Sequence, residues 1–279
     1  MRNSCLILLV SLMMLGIACD EETMNTSDNY VIEAFIVANE SIDNVTIKGI
    51  LPLERVVPQD ESITDAQVRI IHDNEEADLE FDQVSRKYVN PEGDFAVNVG
   101  GIYRLEVNVD GREATAETVV PNPPTGVTLS DTEIIIPQLT VNPQLGDQIR
   151  ALFDEARLTF SWDAIPGQSF FVVIERKEDQ LDPILPEQIP VNTRQLIGEF
   201  RFISEPSDDN SFEIIGVALE TYGLHVAKVF TVNQEYIDLF ENLEQDSRDL
   251  NEPPSNISNA LGIFTAFAVD SVEFNVVRE

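Results

Sequence analysis

From Tyr30 to Val120 the chain alternates apolar and polar residues in short runs separated by Asn, Asp, Gly and Pro, the period of strands that bury one face and wet the other. The runs fall at residues 30–37, 44–51, 66–72, 77–84, 94–99, 102–109 and 113–120. In the clearest, Tyr103, Leu105, Val107 and Val109 share one face while Arg104, Glu106 and Asn108 share the other. Asp110-Gly111 follows at once, the residue pair that a tight hairpin turn favours. No helical period interrupts these runs, so residues 30–121 are expected to form a β-sandwich of about 90 residues.

Pro121-Asn122-Pro123-Pro124 then breaks the pattern, because proline fixes its own φ and cannot donate to a strand ladder. A domain boundary is placed there, with residues 122–279 forming a second β-sandwich of immunoglobulin or fibronectin type. Strands are expected at 158–162, 169–175, 198–204, 212–219 and 223–232, and a proline-rich loop at 182–190. Two short helices interrupt this part. Tyr236, Leu239, Phe240 and Leu243 recur at helical spacing after Asn233, predicting a helix over 234–248, and Ile149, Leu152, Phe153 and Ala156 predict another over 148–156. The fold class is therefore mainly β, two tandem sandwiches with helices confined to the second.

The first residues follow a different logic. Arg2, an apolar run from Cys5 to Leu15, and the small residues Gly16-Ile17-Ala18 before Cys19 make up the charged start, apolar core and cleavage site of an export signal over residues 1–18. The run is shorter than the roughly 20 residues that span a bilayer. Cleavage after Ala18 with lipid on Cys19 is the lipoprotein reading; an ordinary cleavage at the same bond would leave Cys19 as a free thiol. Residues 19–29 are polar, acidic and aperiodic, a tether between anchor and first domain.

Charge and cysteine usage narrow the chemistry. Fifty acidic residues against 17 basic give a net charge of −33, which disfavours nucleic acid and anionic surfaces as partners. The excess reads chiefly as a solubilising surface. Attraction of divalent cations is the alternative, but Asp73-Asn74-Glu75-Glu76 and Ser207-Asp208-Asp209-Asn210 lack the ligand spacing of a calcium loop. Of two cysteines, Cys5 leaves with the signal and Cys19 carries lipid, so no thiolate zinc site, iron–sulfur cluster or cysteine nucleophile is expected in the mature chain. His72, beside Asp73 at a strand end, reads as a solvated edge residue, and His225 as a strand-face residue. Neither belongs to a His-Glu-x-x-His segment. Gly167-Gln-Ser169-Phe-Phe171 is not a nucleophile elbow, and no phosphate-cradling glycine loop occurs. With so many acids, proximity of two carboxylates would say nothing about glycoside cleavage. Trp162, in phase with Phe160, reads as core, as do Phe170, Phe171, Phe264 and Phe267.

Several segments together carry a resemblance: the Cys19 site, Tyr30-Val-Ile-Glu-Ala-Phe-Ile36, Ala66-Gln-Val-Arg-Ile-Ile71, Gly101-Ile-Tyr-Arg-Leu105 with Asp110-Gly111, Pro121, and Pro254-Ser-Asn-Ile-Ser-Asn-Ala-Leu-Gly-Ile-Phe264. With these the chain resembles a family of Bacteroidota surface lipoproteins of unknown function with tandem β-sandwich-like domains. The resemblance implies lipid anchoring in the outer membrane, facing the cell exterior, and an accessory role beside a TonB-dependent outer-membrane transporter. It further implies that Asp20, Glu21 and Glu22 act as a surface-export signal and that Ser271, in Asp270-Ser271-Val272, is a candidate O-glycosylation site. It carries no active site, cofactor or metal. The expectation is thus a non-enzymatic binding partner of a transporter, with a structural or adhesive surface protein as the alternative and a hydrolase behind both.

Overall fold

The computed structural model describes residues 30–50, 62–178, 182–184, 203–243 and 254–279. The expected signal 1–18 with Ala18, the lipidation residue Cys19, the acidic Asp20, Glu21 and Glu22, and the tether to residue 29 lie outside the described residues. So do most of the expected strand 198–204, most of the loop 182–190 and the helix residues beyond 243.

The chain is mainly β, as its alternation predicts, and builds two cores. Seven strands surround the first: β1 (Tyr30–Val37), β2 (Val45–Gly49), β3 (Gln67–His72), β4 (Glu75–Asp82), β5 (Lys87–Val89), β6 (Ile102–Val109) and β7 (Arg112–Val119). Their order across the sheet is β1-β2-β5-β4-β3-β6-β7. On β6 the inward face is the one read from the sequence, Tyr103, Leu105, Val107 and Val109, and on β1 it is Tyr30, Ile32, Ala34 and Ile36. Asp110 and Gly111 turn the β6–β7 hairpin with φ of 53° and 82°, the two positive values that a type I′ turn requires.

Residues 94–99 depart from expectation. Phe95 and Val97 are buried, but the segment pairs with no strand. Its backbone is served instead by the Tyr103 hydroxyl, which donates to the Ala96 carbonyl at 2.8 Å and accepts from the Asn98 amide at 2.6 Å. Alternating burial without a ladder gives the same sequence pattern as a strand. The run at 77–84 is likewise shifted. Strand β4 begins at Glu75, and Val84 projects from the β4–β5 turn, 91% exposed, because the Asp82 carboxylate holds the amides of Val84 and Ser85 in a turn.

The second core lies between two sheets. One is β12 (Ser211–Ile215), β10 (Arg157–Ser161) and β8 (Thr128–Leu129); facing it are β11 (Ser169–Arg176), β13 (Gly223–Val232), β14 (Leu261–Arg278) and β9 (Glu133–Ile136), the last parallel to β14. Three strands against four, with consecutive strands exchanged between sheets, is immunoglobulin-like connectivity. Trp162 sits in this core, 5% exposed, its ring 5.5 Å from Phe160 and 5.7 Å from Phe170. Helix α1 (Leu145–Asp154) starts earlier than its apolar spacing suggests, and α2 (Gln234–Leu243) starts at the predicted residue. The expected strand 212–219 stops at Ile215. Gly216 opens a 3-10 turn and packs against helix α1's end, where a Cβ would stand 2.6 Å from that of Ala156.

Strand β14 belongs to both cores. Leu261 to Phe267 pair in parallel with β1, and Ala268 to Val276 pair antiparallel with β13. Phe264, Ala266 and Ala268 enter the first core, while Phe274 and Val276 enter the second. Just before β14, Ser258 exchanges both backbone hydrogen bonds with Thr115 of β7 at 3.2 and 2.8 Å, closing the first core's strands into a ring. Asn256 stands in for a strand residue there. Its amide donates to the Phe264 carbonyl at 2.7 Å and its side-chain oxygen accepts from the Phe264 amide at 2.9 Å.

Candidate functional site

Alternation on β11 puts Phe170 and Val172 into the second core and turns Phe171 and Val173 to the opposite face of the sheet. Cross-strand neighbours extend that outer face. Phe171 pairs with Phe230 on β13, Phe267 follows on β14, and Phe35 and Val37 stand on β1. Phe171 and Phe230 stack with ring centres 4.6 Å apart and planes 3° from parallel. Phe267 meets Phe171 edge-on at 5.5 Å, and Tyr236 of α2 meets Phe267 edge-on at 5.1 Å. These offset and perpendicular arrangements are the favoured ones for aromatic pairs, each adding about 1 kcal/mol to the burial term.

Beside this cluster runs a groove of about 660 Å³ along β11, within the usual range for a small-ligand or peptide site. One end is the apolar floor of Phe35, Val37, Phe171, Val173, Phe230 and Phe267. The other end is polar, with Glu175, Arg176, Glu220, Thr221 and His225. Glu175 is held by Lys228 at 2.7 Å. His225 is 4% exposed, lies 5.5 Å from the Phe274 ring, and has Nδ1 3.1 Å from the Gly223 carbonyl. A carbonyl only accepts, so Nδ1 carries the proton and Nε2 is left as an acceptor. Burial pushes the imidazole pKa below its ordinary 6.5, and Arg176 pushes the same way. The ring is therefore neutral near pH 7.

A second groove, about 550 Å³, is acidic: Glu75, Glu76, Asp78, Glu80, Glu92 and Asp94 line it with Asn90 and Phe95. Arg69 satisfies two of these carboxylates, Glu76 at 3.0 Å and Asp78 at 2.8 Å. Among the described residues no three or more His, Cys, Asp or Glu side chains converge as a metal site. Ser207 to Asn210 form a turn of their own, Asp209 donating its amide to Ser207 Oγ at 3.3 Å.

The remaining residues singled out in the sequence are dispersed. Ser169 opens β11 opposite Val232, in a strand and not on a strand-to-helix elbow. Ser271 is exposed on β14, opposite Lys228 of β13. His72 is not the solvated edge residue that its neighbour Asp73 suggests. Its ring stacks on Tyr103 at 4.4 Å and its Nδ1 lies 3.0 Å from the Ile102 carbonyl, because Gly101 leaves room that a Cβ would take, 2.9 Å from the imidazole. The groove itself was not predicted, although its signal is present: Phe170 to Ile174 is apolar on both faces, so a second packing layer is needed beyond the sandwich core.

A family model described as "Domain of unknown function (DUF4249)" matches residues 18–273. No curated protein matches the chain. Among solved structures, a cytokine receptor complex aligns over 87% of this chain and 94% of its own, at 11% identity and a TM-score of 0.24. A crystal structure of domains from titin aligns over 88% of this chain and 62% of its own, at 11% identity and a TM-score of 0.22.

Proposed function

We propose that this chain, which belongs to the DUF4249 family of unknown function, is a lipid-anchored outer-membrane lipoprotein that faces the cell exterior and serves, without catalysis, as an accessory binding partner of a TonB-dependent transporter. The observation that carries the reading is the junction at Cys19: an apolar run too short to span a bilayer, small residues, one cysteine, then Asp20-Glu21-Glu22. Acyl chains there hold the protein at the membrane, and at least two are needed for lasting attachment.

The rest of the chain is consistent with a binding role. Its two β cores present a groove with a stacked aromatic floor, the composition that recognition surfaces favour. The transporter partner itself rests on the sequence resemblance.

Gentle detergent extraction of the native lipoprotein, affinity purification and mass spectrometry test both parts. Lipid-modified Cys19 together with stoichiometric recovery of a TonB-dependent transporter is the expected outcome, with Cys19→Ala shifting the protein to the soluble fraction. Recovery of the lipidated protein alone favours a structural or adhesive role. An unmodified Cys19 in a membrane-free protein overturns the anchor.

A further inference from the structure

The direction of β14 relates the two cores to the point where the chain would leave the membrane. Tyr30, ten residues after the acidic Asp20, begins β1 at one end of the first core. Strand β14 starts at that same end, with Leu261 opposite Val31, and runs parallel to β1. Where β1 stops at Val37, opposite Phe267, β14 continues unbroken through Arg278 and becomes a central strand of the second sandwich. At about 3.3 Å per residue, Phe267 stands about 20 Å and Ser271 about 33 Å beyond Leu261 along the strand. The second core is therefore displaced from the chain's entry point along one continuous strand, paired with β1 over Leu261 to Phe267 and with β13 over Ala268 to Val276, and not by a linker.

Resting on the lipid-anchor reading above, we propose that the first core is a spacer and β14 a rigid spine, so that the second core and the aromatic groove are held away from the bilayer, about 20 Å or more beyond the end of the first core that faces it. The membrane-proximal end of the first core is then the one that carries Tyr30, the Asp110-Gly111 hairpin and the β4–β5 turn with Val84. The hairpin belongs there because β7 meets Ser258 just ahead of β14. The β4–β5 turn belongs there because Leu79 pairs with Val68 one residue from the β3 start that faces Asn108. A tether of ten residues reaches at most about 35 Å when extended, so the first core stays close to the surface. The net charge of −33 opposes laying the long side of the molecule along anionic headgroups.

Two exposed positions report the arrangement: Val84, 91% exposed in the β4–β5 turn, and Ser271, exposed on β14. The mature chain has no cysteine besides the lipidated Cys19, so Val84→Cys and Ser271→Cys each accept a single fluorophore. The lipidated full chain is reconstituted into vesicles of phosphatidylethanolamine and phosphatidylglycerol containing a headgroup-labelled acceptor lipid. The label at Val84→Cys is expected to be quenched at least about twofold more than that at Ser271→Cys, as a separation of some tens of ångströms along the spine requires. Equal quenching, or stronger quenching at Ser271→Cys, overturns the spacer arrangement while leaving the anchor intact. Loss of vesicle association in both labelled proteins overturns the anchor reading, and with it the premise.

Discussion

The fold opposes protonation of His225, and stability should register it. Burial holds its pKa below 6.5 in the folded chain, so as pH falls the unfolded chain takes up the proton first. The stability that depends on a neutral His225 is complete above pH 6.5 and is lost as pH falls toward the folded-state pKa. Acid also discharges the surplus carboxylates and relieves self-repulsion, which acts alike on the protein and on a variant. The expected result is that the urea midpoint of the wild-type chain, relative to that of His225→Gln, declines between about pH 7 and pH 5. A constant difference across that range would show that the imidazole is already solvated. Sequence alone placed this residue on a strand face, and that is where it lies. Alternation says which face a side chain takes. It does not say how many layers cover that face, which is why the same reasoning left His72 exposed when Tyr103 in fact covers it.

At the scale of elements, hairpin strands were legible because alternation, a turn pair and a single wet face coincide, as in β6 and β7. Strand β14 was not. Ile263 to Ala268 are all buried, so the period of two vanishes where the strand passes between the first core and the aromatic cluster. Gly262, at φ 119°, marks a close approach instead, since a Cβ there would stand 1.8 Å from the Ile32 carbonyl oxygen. The segment 254–264 was recognisable as a motif before its job was known, and that job is closing the strand ring: Ser258 pairs with Thr115, Asn259 at φ 65° donates to the Glu113 carbonyl at 3.1 Å, and Asn256 occupies both backbone groups of Phe264. Asn256→Ala leaves a part-buried amide and carbonyl unpaired and is expected to cost about 2 kcal/mol. Hydrogen exchange at Phe264 should accelerate in step, whereas an unchanged rate would mean that water replaces the side chain at no cost.

For the whole molecule the question is whether the two cores unfold together, and a shared strand argues that they do. Phe264 is fully buried in the first core, yet it is a residue of the strand that also carries Phe274 and Val276 into the second. Trp162, the only tryptophan, reports on the second core alone, whereas far-ultraviolet circular dichroism reports on both. Phe264→Ala removes about 3–5 kcal/mol of packing from the first core. If that core unfolds, β14 loses its pairing with β1 over Leu261 to Phe267, and the register it shares with β13 is no longer held from that side. The denaturant transition seen by Trp162 should therefore move to lower urea along with the dichroism curve, and the two should coincide as a single cooperative unit requires. A Trp162 transition that stays in place while the dichroism curve splits would show two independent units joined only in sequence. The spine would then be a connection between cores but not a rigid one, and the distance from the bilayer to the second core would no longer follow from the length of β14.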